Sequence, residues 1–388
     1  VFRHVLEALA LDWRIHVVGI GGHRERRREG AFDVSPANPR GGDVWGARSA
    51  VERVVETGAS AVLVMHDLWH MKRFAGTFPA LPPGVRRVLY LPLDGELVHP
   101  EIEPLLPPLE VFDVVVTYTP GFRQALERET RSLPKPPRVV DLPHGLDASR
   151  FHAAPELLAS GFDPAGRRAA RQAVFGERPT WLDPFVVLNP SRPASRKRID
   201  LTLEAFAEFA RDKPADVMLC LHQAIRGEPE AAQRDRRIDE LGIGHRVLLD
   251  PVGPGVASDQ RLNTLYNACD VGLTTTMGEG WGLVAFEHAA AGGAQVMPRH
   301  SACGELWQGA ALLVEPARFY VPTFSPLRMG EVSPASVAQA LDDLYRDRAR
   351  LRSLARAGWE RARSPALDWQ TIGAAWRELF ASQLKTAS

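Results

Sequence analysis

The feature that most constrains this chain is an alternation of short, apolar, β-branched runs with helical stretches along most of its length. In the first half the runs are Ile15 to Gly19, Ala61 to Met65, Val85 to Leu91, Val111 to Thr117 and Arg138 to Leu142, most followed closely by Gly, Pro, Asp or His. Uniformly apolar strands are buried on both faces, and strands separated by helices pair in parallel. The pattern therefore predicts a doubly wound α/β sheet with its ligand at the carboxyl ends of the strands. The alternation pauses at Pro143-His-Gly-Leu-Asp147, and a polar segment bearing Arg and Pro follows from Ala153 to about Pro184, broken by a helical stretch near Arg167 to Phe175. It then restarts with strands Phe185 to Asn189, Asp216 to His222, Arg246 to Asp250 and Asp270 to Thr275, separated by helices Leu201 to Phe209, Glu228 to Leu241 and Ser258 to Asn267. At 388 residues the chain is long enough for two such cores. The predicted division is an N-terminal Rossmann-like domain over 1–152, a second over 153–365, and a last helix over 366–388 able to pack back on the first. The stretches Pro334 to Tyr345, Asp347 to Arg363 and Trp369 to Leu384 carry apolar residues at helical spacing and predict packing helices. The sequence opens on an amphipathic helix, Val1 to Ala10, with no strand before it, so the first strand of the first domain is expected to be missing.

Composition narrows the partners. Lys and Arg together number 47, as do Asp and Glu, so no general surface exists for neutralising a nucleic-acid backbone, and any anion site must be local. Lysine occurs only at positions 72, 135, 197, 213 and 385. Cys220, Cys269 and Cys303 are widely spaced and form no C-x-x-C pair, which suits a reducing cytoplasm. No apolar run approaches the roughly 18 residues that span a bilayer.

Two segments carry the chemistry. In the first, Thr274-Thr-Thr-Met-Gly278-Glu279-Gly280-Trp281-Gly282-Leu283-Val284-Ala-Phe-Glu287, a strand runs through a glycine-rich turn into a helix. The glycines let backbone approach a ligand closely, and the helix start offers unpaired N–H groups and the positive end of a dipole, a candidate phosphate cradle. Glu279 lies in the turn and Glu287 about one helical turn inside. The first can accept hydrogen bonds from hydroxyls beside the phosphates, the second from a vicinal diol such as ribose. The alternative is an ordinary strand-to-helix turn with Glu279 solvated and Glu287 paired locally. In the second segment, strand Phe185 to Asn189 runs into Pro190-Ser-Arg192-Pro-Ala-Ser-Arg196-Lys197-Arg198, four cations just past a strand's carboxyl end. Two of them suit a departing diphosphate, through charge-assisted bonds of about 1.5–3 kcal/mol each. Alone, such a cluster is more often a solvated helix start.

These two segments, in this order, resemble the donor-binding domain of the retaining GT-B glycosyltransferases of family 4, over roughly Val139 to the C-terminus. Glu279 to Glu287 matches the family's Glu-x7-Glu motif, and Arg192 with Lys197 its Arg followed five residues later by Lys. Leu142-Pro-His-Gly-Leu-Asp147 with Phe151 is similar to its hinge, and Glu305 to its acidic residue after the next strand. The resemblance implies a GT-B fold, two Rossmann-like doubly wound domains facing across a cleft. It implies that Arg192 and Lys197 bind the donor diphosphate and stabilise its departure, with Glu279 on donor-sugar hydroxyls. The backbone from Gly280 and Trp281 through Gly282, Leu283 and Val284 would line the phosphates, and Glu287 would hold the ribose. It further implies a UDP- or GDP-linked donor, no metal or other cofactor, and no protein nucleophile. The acceptor is left unspecified.

In the first half, Met65-His66-Asp67-Leu-Trp69-His70 and Leu89-Tyr-Leu-Pro-Leu-Asp94-Gly95 follow strands and are similar to acceptor-side loops of that family, which makes His66 and Asp94 acceptor-side candidates. A hydrogen-bonded loop is the simpler account of His66 and His70, since a metal pair lacks a third ligand. Gly19-Ile-Gly21-Gly22-His23-Arg24 has Arg where the third glycine of a dinucleotide loop belongs, which argues against NAD. The basic run His23 to Arg28 is usually a solvated face, the alternative being a contact with an anionic acceptor or a membrane surface. The function expected is transfer of a hexosyl group from a nucleotide-diphospho-sugar to an acceptor hydroxyl. The alternatives are a nucleotide-sugar epimerase or phosphorylase on the same fold, or a non-catalytic nucleotide-sugar binding protein.

Overall fold

The computed structural model describes residues 2–20, 25–38, 41–176, 184–223, 228–251, 257–323 and 325–385. The chain divides into two compact units: Val1–Gly145 with Pro322–Leu327 and Trp369–Ser388, and Leu146–Val321 with Arg328–Asp368.

The first unit runs α1 (Phe2–Leu9), β1 (His16–Gly19), β2 (Arg27–Glu29), β3 (Phe32–Pro36), α2 (Ala47–Thr57), β4 (Ala61–Met65), α3 (Met71–Thr77), β5 (Arg86–Tyr90), β6 (Glu96–Leu97), β7 (Val114–Thr117), α4 (Pro120–Thr130) and β8 (Arg138–Asp141). Strands β4, β5, β7 and β8 form a parallel sheet in that order. Its centre, Val88 to Tyr90 and Val114 to Val116, is fully buried, as the uniformly apolar runs predict. The remaining strands do not join it. β1 pairs in parallel with β3, and β3 is antiparallel to β2, in a separate sheet of order β1-β3-β2. Where the alternation predicts one doubly wound sheet there are thus two. A cavity of about 380 Å³, lined by apolar side chains of β1, β4, α1 and α2, lies against the edges of both. The hairpin β2–β3 is also unforeseen, because its first strand is the charged run Arg27-Arg-Glu29, exposed throughout. Arg26 beside it forks onto Glu56 at 2.7 and 2.8 Å, so part of the basic run is spent within the protein. Gly21, Gly22, His23 and Arg24 lie outside the described residues.

The second unit contains α5 (Pro155–Ala159), α6 (Arg168–Phe175), β9 (Phe185–Asn189), α7 (Ile199–Ala210), β10 (Val217–Leu221), α8 (Glu228–Glu240), β11 (Val247–Leu249), α9 (Asp259–Ala268), β12 (Val271–Leu273), α10 (Leu283–Ala290), β13 (Ala294–Pro298), α11 (Ser301–Leu306), β14 (Leu312–Val314), an antiparallel hairpin β15 (Arg318–Tyr320) and β16 (Leu327–Glu331), α12 (Pro334–Arg346) and α13 (Arg348–Ala362). Six strands form one parallel sheet of order β11-β10-β9-β12-β13-β14. The chain starts this sheet at β9, winds outward through β10 and β11, then returns to the other side of β9 at β12. The strand order reverses between β9 and β12, the switch point where open α/β sheets bind ligands. The helices cover both faces. α7 turns Leu203, Ala205, Phe206 and Phe209 into a core that includes Val337, Leu341 and Leu344 of α12. The last helix, α14 (Trp369–Lys385), belongs to the first unit, where Trp369 stacks on His4 at 4.6 Å and Gly373 lies against Ala8.

Candidate functional site

The loops that leave β9 and β12 at the switch point are the two segments singled out in the sequence, and hydrogen bonds lock them together. Asn189 ends an otherwise apolar strand, and its side chain accepts the Ser191 N–H at 3.0 Å while donating to Thr202 Oγ1 at 2.9 Å. Thr202 Oγ1 lies 2.7 Å from Thr275 Oγ1, which is 2.7 Å from the Arg198 carbonyl. A carbonyl only accepts, so Thr275 donates to Arg198 and accepts from Thr202. The Met277 N–H donates to the Arg196 carbonyl, and Arg196 Nη1 to the Gly278 carbonyl, both at 2.7 Å. These ties fix the two loops relative to each other independently of any ligand.

Three of the four cations are occupied in this frame. Lys197 Nζ is ion-paired in direct contact with Glu279 Oε2, and Arg196 Nη1 approaches the same oxygen at 3.9 Å. Arg198, in a left-handed conformation at φ 46°, caps α7 and is neutralised by Asp200 at 2.8 Å and by Glu331. Those two carboxylates offset the poor placement of a cation at a helix N-terminus. Arg192 is exposed and makes no ion pair among the described residues. The structure therefore brings Lys197 and Glu279 together and leaves Arg192 on the rim of the same loop.

The glycine-rich turn ends at Gly282, at φ 86° and ψ 50°, which caps α10 with no side-chain hydrogen bond. Gly282 supplies the carbonyl that Ala285 N–H bonds at 2.9 Å, whereas the N–H groups of Leu283 and Val284 belong to the first turn and have no intrahelical partner. Gly280 is buried, and the Trp281 indole is stacked on Phe286 at 5.1 Å and buried, so only the Trp281 backbone is placed to meet a ligand. Glu287, one turn into α10, accepts a hydrogen bond from Tyr266 OH at 3.1 Å. Burial pushes its carboxyl up to about 7, against the pull of the tyrosine hydroxyl. The local pairing weighed for Glu287 is thus present, and Tyr266 occupies one of its two oxygens. The next residue, His288, is seated between Gly272 and Gly293, where an added Cβ would come within 2.6 and 2.1 Å of the ring. Its Nε2 faces the Cys269 carbonyl at 3.3 Å and its Nδ1 the Gln295 amide at 3.1 Å, which holds α10 at a set rotation.

Glu305 is exposed on α11. In the first unit, His66 and Asp94 both lie past the carboxyl ends of the adjacent strands β4 and β5. His66 sits edge-on to Trp45 at 5.6 Å, and Trp45 stacks on His70 at 3.8 Å. Burial, then the neighbouring His70, holds the His66 imidazole below its ordinary value, so it is neutral at pH 7. Burial raises the Tyr118 phenol, and the negative charges of Asp94 and Asp67 add to that, which places both carboxylates in the tyrosine's neighbourhood. Among the described residues no group of three or more His, Cys, Asp and Glu is arranged to hold a metal, and no helix is long and apolar enough to cross a membrane.

Sequence reasoning missed the residues that hold the loops: Asn189, Thr275, Thr276, Tyr266, His300 and Ser301. A polar residue closing an apolar strand and three threonines in a row were the available signals. Nothing local marked Tyr266, which reaches Glu287 from α9.

Residues 173–316 match the sequence model described as "Glycosyl transferases group 1". No curated protein sequence matches the chain. Among solved structures, a sucrose-phosphate synthase from Thermosynechococcus elongatus superposes with a TM-score of 0.73 at 18% identity, covering 100% of this chain and 93% of the other. Anabaena Alr3699/HepE in complex with UDP gives 0.67 at 18% identity, over 97% and 95% of the two chains. An E. coli structure described as trehalose-6-phosphate bound with UDP-2-fluoro glucose gives 0.66 at 16% identity, over 99% and 95%. The stretch 173–316 spans β9 to β14 and every donor-side candidate, and it carries the glycosyl transferases group 1 pattern in a chain whose fold is that of the GT-B glycosyltransferases.

Proposed function

We propose that the protein is a retaining glycosyltransferase of family 4 type that moves a hexosyl group from a nucleotide-diphospho-sugar to an acceptor hydroxyl without a metal ion. The observation that carries this reading is the meeting of Lys197 and Glu279, from loops after adjacent strands, at the switch point of the six-stranded sheet. The ion pair is suited to exchange. A bound donor offers its diphosphate to the ammonium and its sugar hydroxyls to the carboxylate, so each partner trades one charged or polar neighbour for another rather than being stripped bare. Arg192 adds a second cation as negative charge grows on the leaving diphosphate, and the N–H groups of Leu283 and Val284 add the dipole end of α10. Tyr266 orients Glu287 and leaves its other oxygen for a ribose diol. A uridine nucleotide is the first candidate, because similar structures are complexes with UDP, UDP-glucose or UDP-2-fluoro glucose. His66 and Asp94 are the acceptor-side candidates. Three buried free thiols, Cys220, Cys269 and Cys303, favour a cytoplasmic setting.

The test is to incubate the protein with UDP-glucose or GDP-mannose and a panel of sugar and polyol acceptors, with and without a chelator, following nucleoside diphosphate and the anomeric configuration of the product by NMR. Acceptor-dependent release with retained configuration, unaffected by the chelator, supports the reading. An inverted product overturns the retaining assignment, isomerised donor without release indicates an epimerase, and binding without turnover indicates a non-catalytic protein.

A further inference from the structure

The peptide at Glu279 is held by a relay that starts on the neighbouring strand-to-helix turn. The Glu279 N–H donates to Ser301 Oγ at 3.2 Å. Ser301 Oγ lies 3.1 Å from His300 Nδ1, and His300 Nε2 lies 3.2 Å from the Thr276 carbonyl. The proton positions follow from the chemistry of the acceptors. The carbonyl only accepts, so Nε2 carries the proton. With the ring neutral, Nδ1 then accepts, so the serine hydroxyl donates to it and keeps a lone pair for the Glu279 N–H. The Glu279 carbonyl is taken by the Ala302 N–H at 3.2 Å, so both ends of this residue's backbone are tied to residues 301 and 302. The His300 ring is itself fixed. It is buried, and a Cβ on Gly330 would come within 2.6 Å of Cδ2. Thr276, the far end of the relay, donates its hydroxyl to the Gly278 carbonyl at 2.7 Å. The loop carrying Glu279 is therefore gripped at Thr276, at Gly278 and at Glu279 itself.

Ser301 holds its place at a conformational cost. Its φ of 46° lies in the left-handed region that a side chain with a Cβ avoids and glycine adopts freely. What serine supplies there and glycine does not is the hydroxyl, and the hydroxyl is the middle of the relay. Residues held in such regions by their surroundings cluster at functional sites.

We infer that Ser301 and His300 are positioning residues for the donor sugar: they orient the Glu279 peptide so that its carboxylate lies at Lys197, and so govern how well the site distinguishes a nucleotide-sugar from the bare nucleotide. This rests on the proposed reading that Glu279 holds sugar hydroxyls. The nucleotide's contacts with Glu287 and the start of α10 do not pass through the relay, and Lys197, which meets the diphosphate of nucleotide and nucleotide-sugar alike, is retained in every variant.

The experiment titrates UDP and UDP-glucose, or GDP and GDP-mannose if a thermal screen selects guanine, into the wild-type protein and into Ser301→Gly, Ser301→Ala and His300→Phe, with a melting curve for each. Ser301→Gly relieves the strained φ and is expected to melt no lower than wild type. It nonetheless loses about fivefold to tenfold in affinity for the nucleotide-sugar, the worth of one oriented hydrogen bond, with nucleotide affinity held within about twofold. Ser301→Ala and His300→Phe break the same relay and lower the same ratio. A merely structural role would instead move both affinities together with the melting temperature, or neither. If all three variants keep the wild-type ratio of affinities, the inference is overturned while the donor reading stands. If the wild-type protein binds none of these nucleotides or nucleotide-sugars, the donor reading falls and the relay's role falls with it.

Discussion

Glu287 carries a charge that the folded protein accommodates poorly. Its carboxyl titrates near 7 rather than 4.5 because burial disfavours the ionised form. The folded state thus keeps a proton that the unfolded chain releases, and the contribution of this group to stability declines as pH rises from about 4.5 through 7. A carboxylate accepts from a ribose diol better than the protonated acid, so affinity for a nucleotide-sugar should rise across the same window. We expect Glu287→Gln to flatten both dependences, seen as pH-independent affinity between pH 6 and 8 in titration calorimetry and a smaller loss of melting temperature at the alkaline end. An unchanged pH profile in the variant would assign the titration to another group. Lys197 makes the complementary case. Donors aimed at developing charge contribute factors of about 100 to 1000 in rate, so Lys197→Ala should lower kcat by that order. Its melting temperature should stay close to wild type, because Arg196 at 3.9 Å still faces the remaining Glu279 carboxylate. Equal losses of activity and stability would make the lysine a packing residue.

The elements around the site are braced from behind by a buried ionic cluster. Asp270, at the start of β12, is 1% exposed, and its Oδ2 accepts from the Val186 N–H of β9 at 2.8 Å and from Arg171 of α6 at 2.6 Å. Arg167 completes the group at 3.4 Å and donates to the Asn267 carbonyl at 3.0 Å. Burial lowers the Arg167 guanidinium to about 10 even beside this carboxylate. The cluster ties β9, β12 and α6 together at the end opposite the ligand loops. Breaking a buried pair from one side strands the other charge, so Asp270→Ala should cost about 3–5 kcal/mol in denaturant unfolding. A cost below about 1 kcal/mol would mean that water reaches the two arginines. The bounds of these elements were largely legible. The strand at Phe185 to Asn189 and the helices at Glu228, Pro334 and Trp369 fall where apolar runs and helical periodicity put them. The hairpin β2–β3 was not legible, because Arg27-Arg-Glu29 forms a strand through backbone pairing with β3 rather than through any pattern of its own.

At the scale of the whole molecule, the two units are unlike in construction. The second has one continuous six-stranded sheet, whereas the first has two smaller sheets and an apolar cavity of about 380 Å³. Smaller sheets bury less apolar surface per residue, so scanning calorimetry should resolve two transitions, the lower from the first unit. A saturating nucleotide should raise only the transition of the second unit, by the mass-action stabilisation of about 2.7 kcal/mol at one hundred times Kd. A single transition that shifts as a whole would mean that the units unfold together. The sequence by itself determined that apolar strands and helices alternate twice, that one turn is glycine-rich and flanked by two carboxylates, and that four cations follow a strand, because these depend on the order and spacing of neighbouring residues. Only the tertiary structure decided which strand lies beside which. The reversal between β9 and β12 brings Lys197 to Glu279 across 82 positions of chain, spends Arg196 and Arg198 within the protein, and sets Ser301 under the Glu279 peptide. No local pattern encodes such partnerships, since they arise from burying a whole sheet between its helices and satisfying the polar groups left at its end.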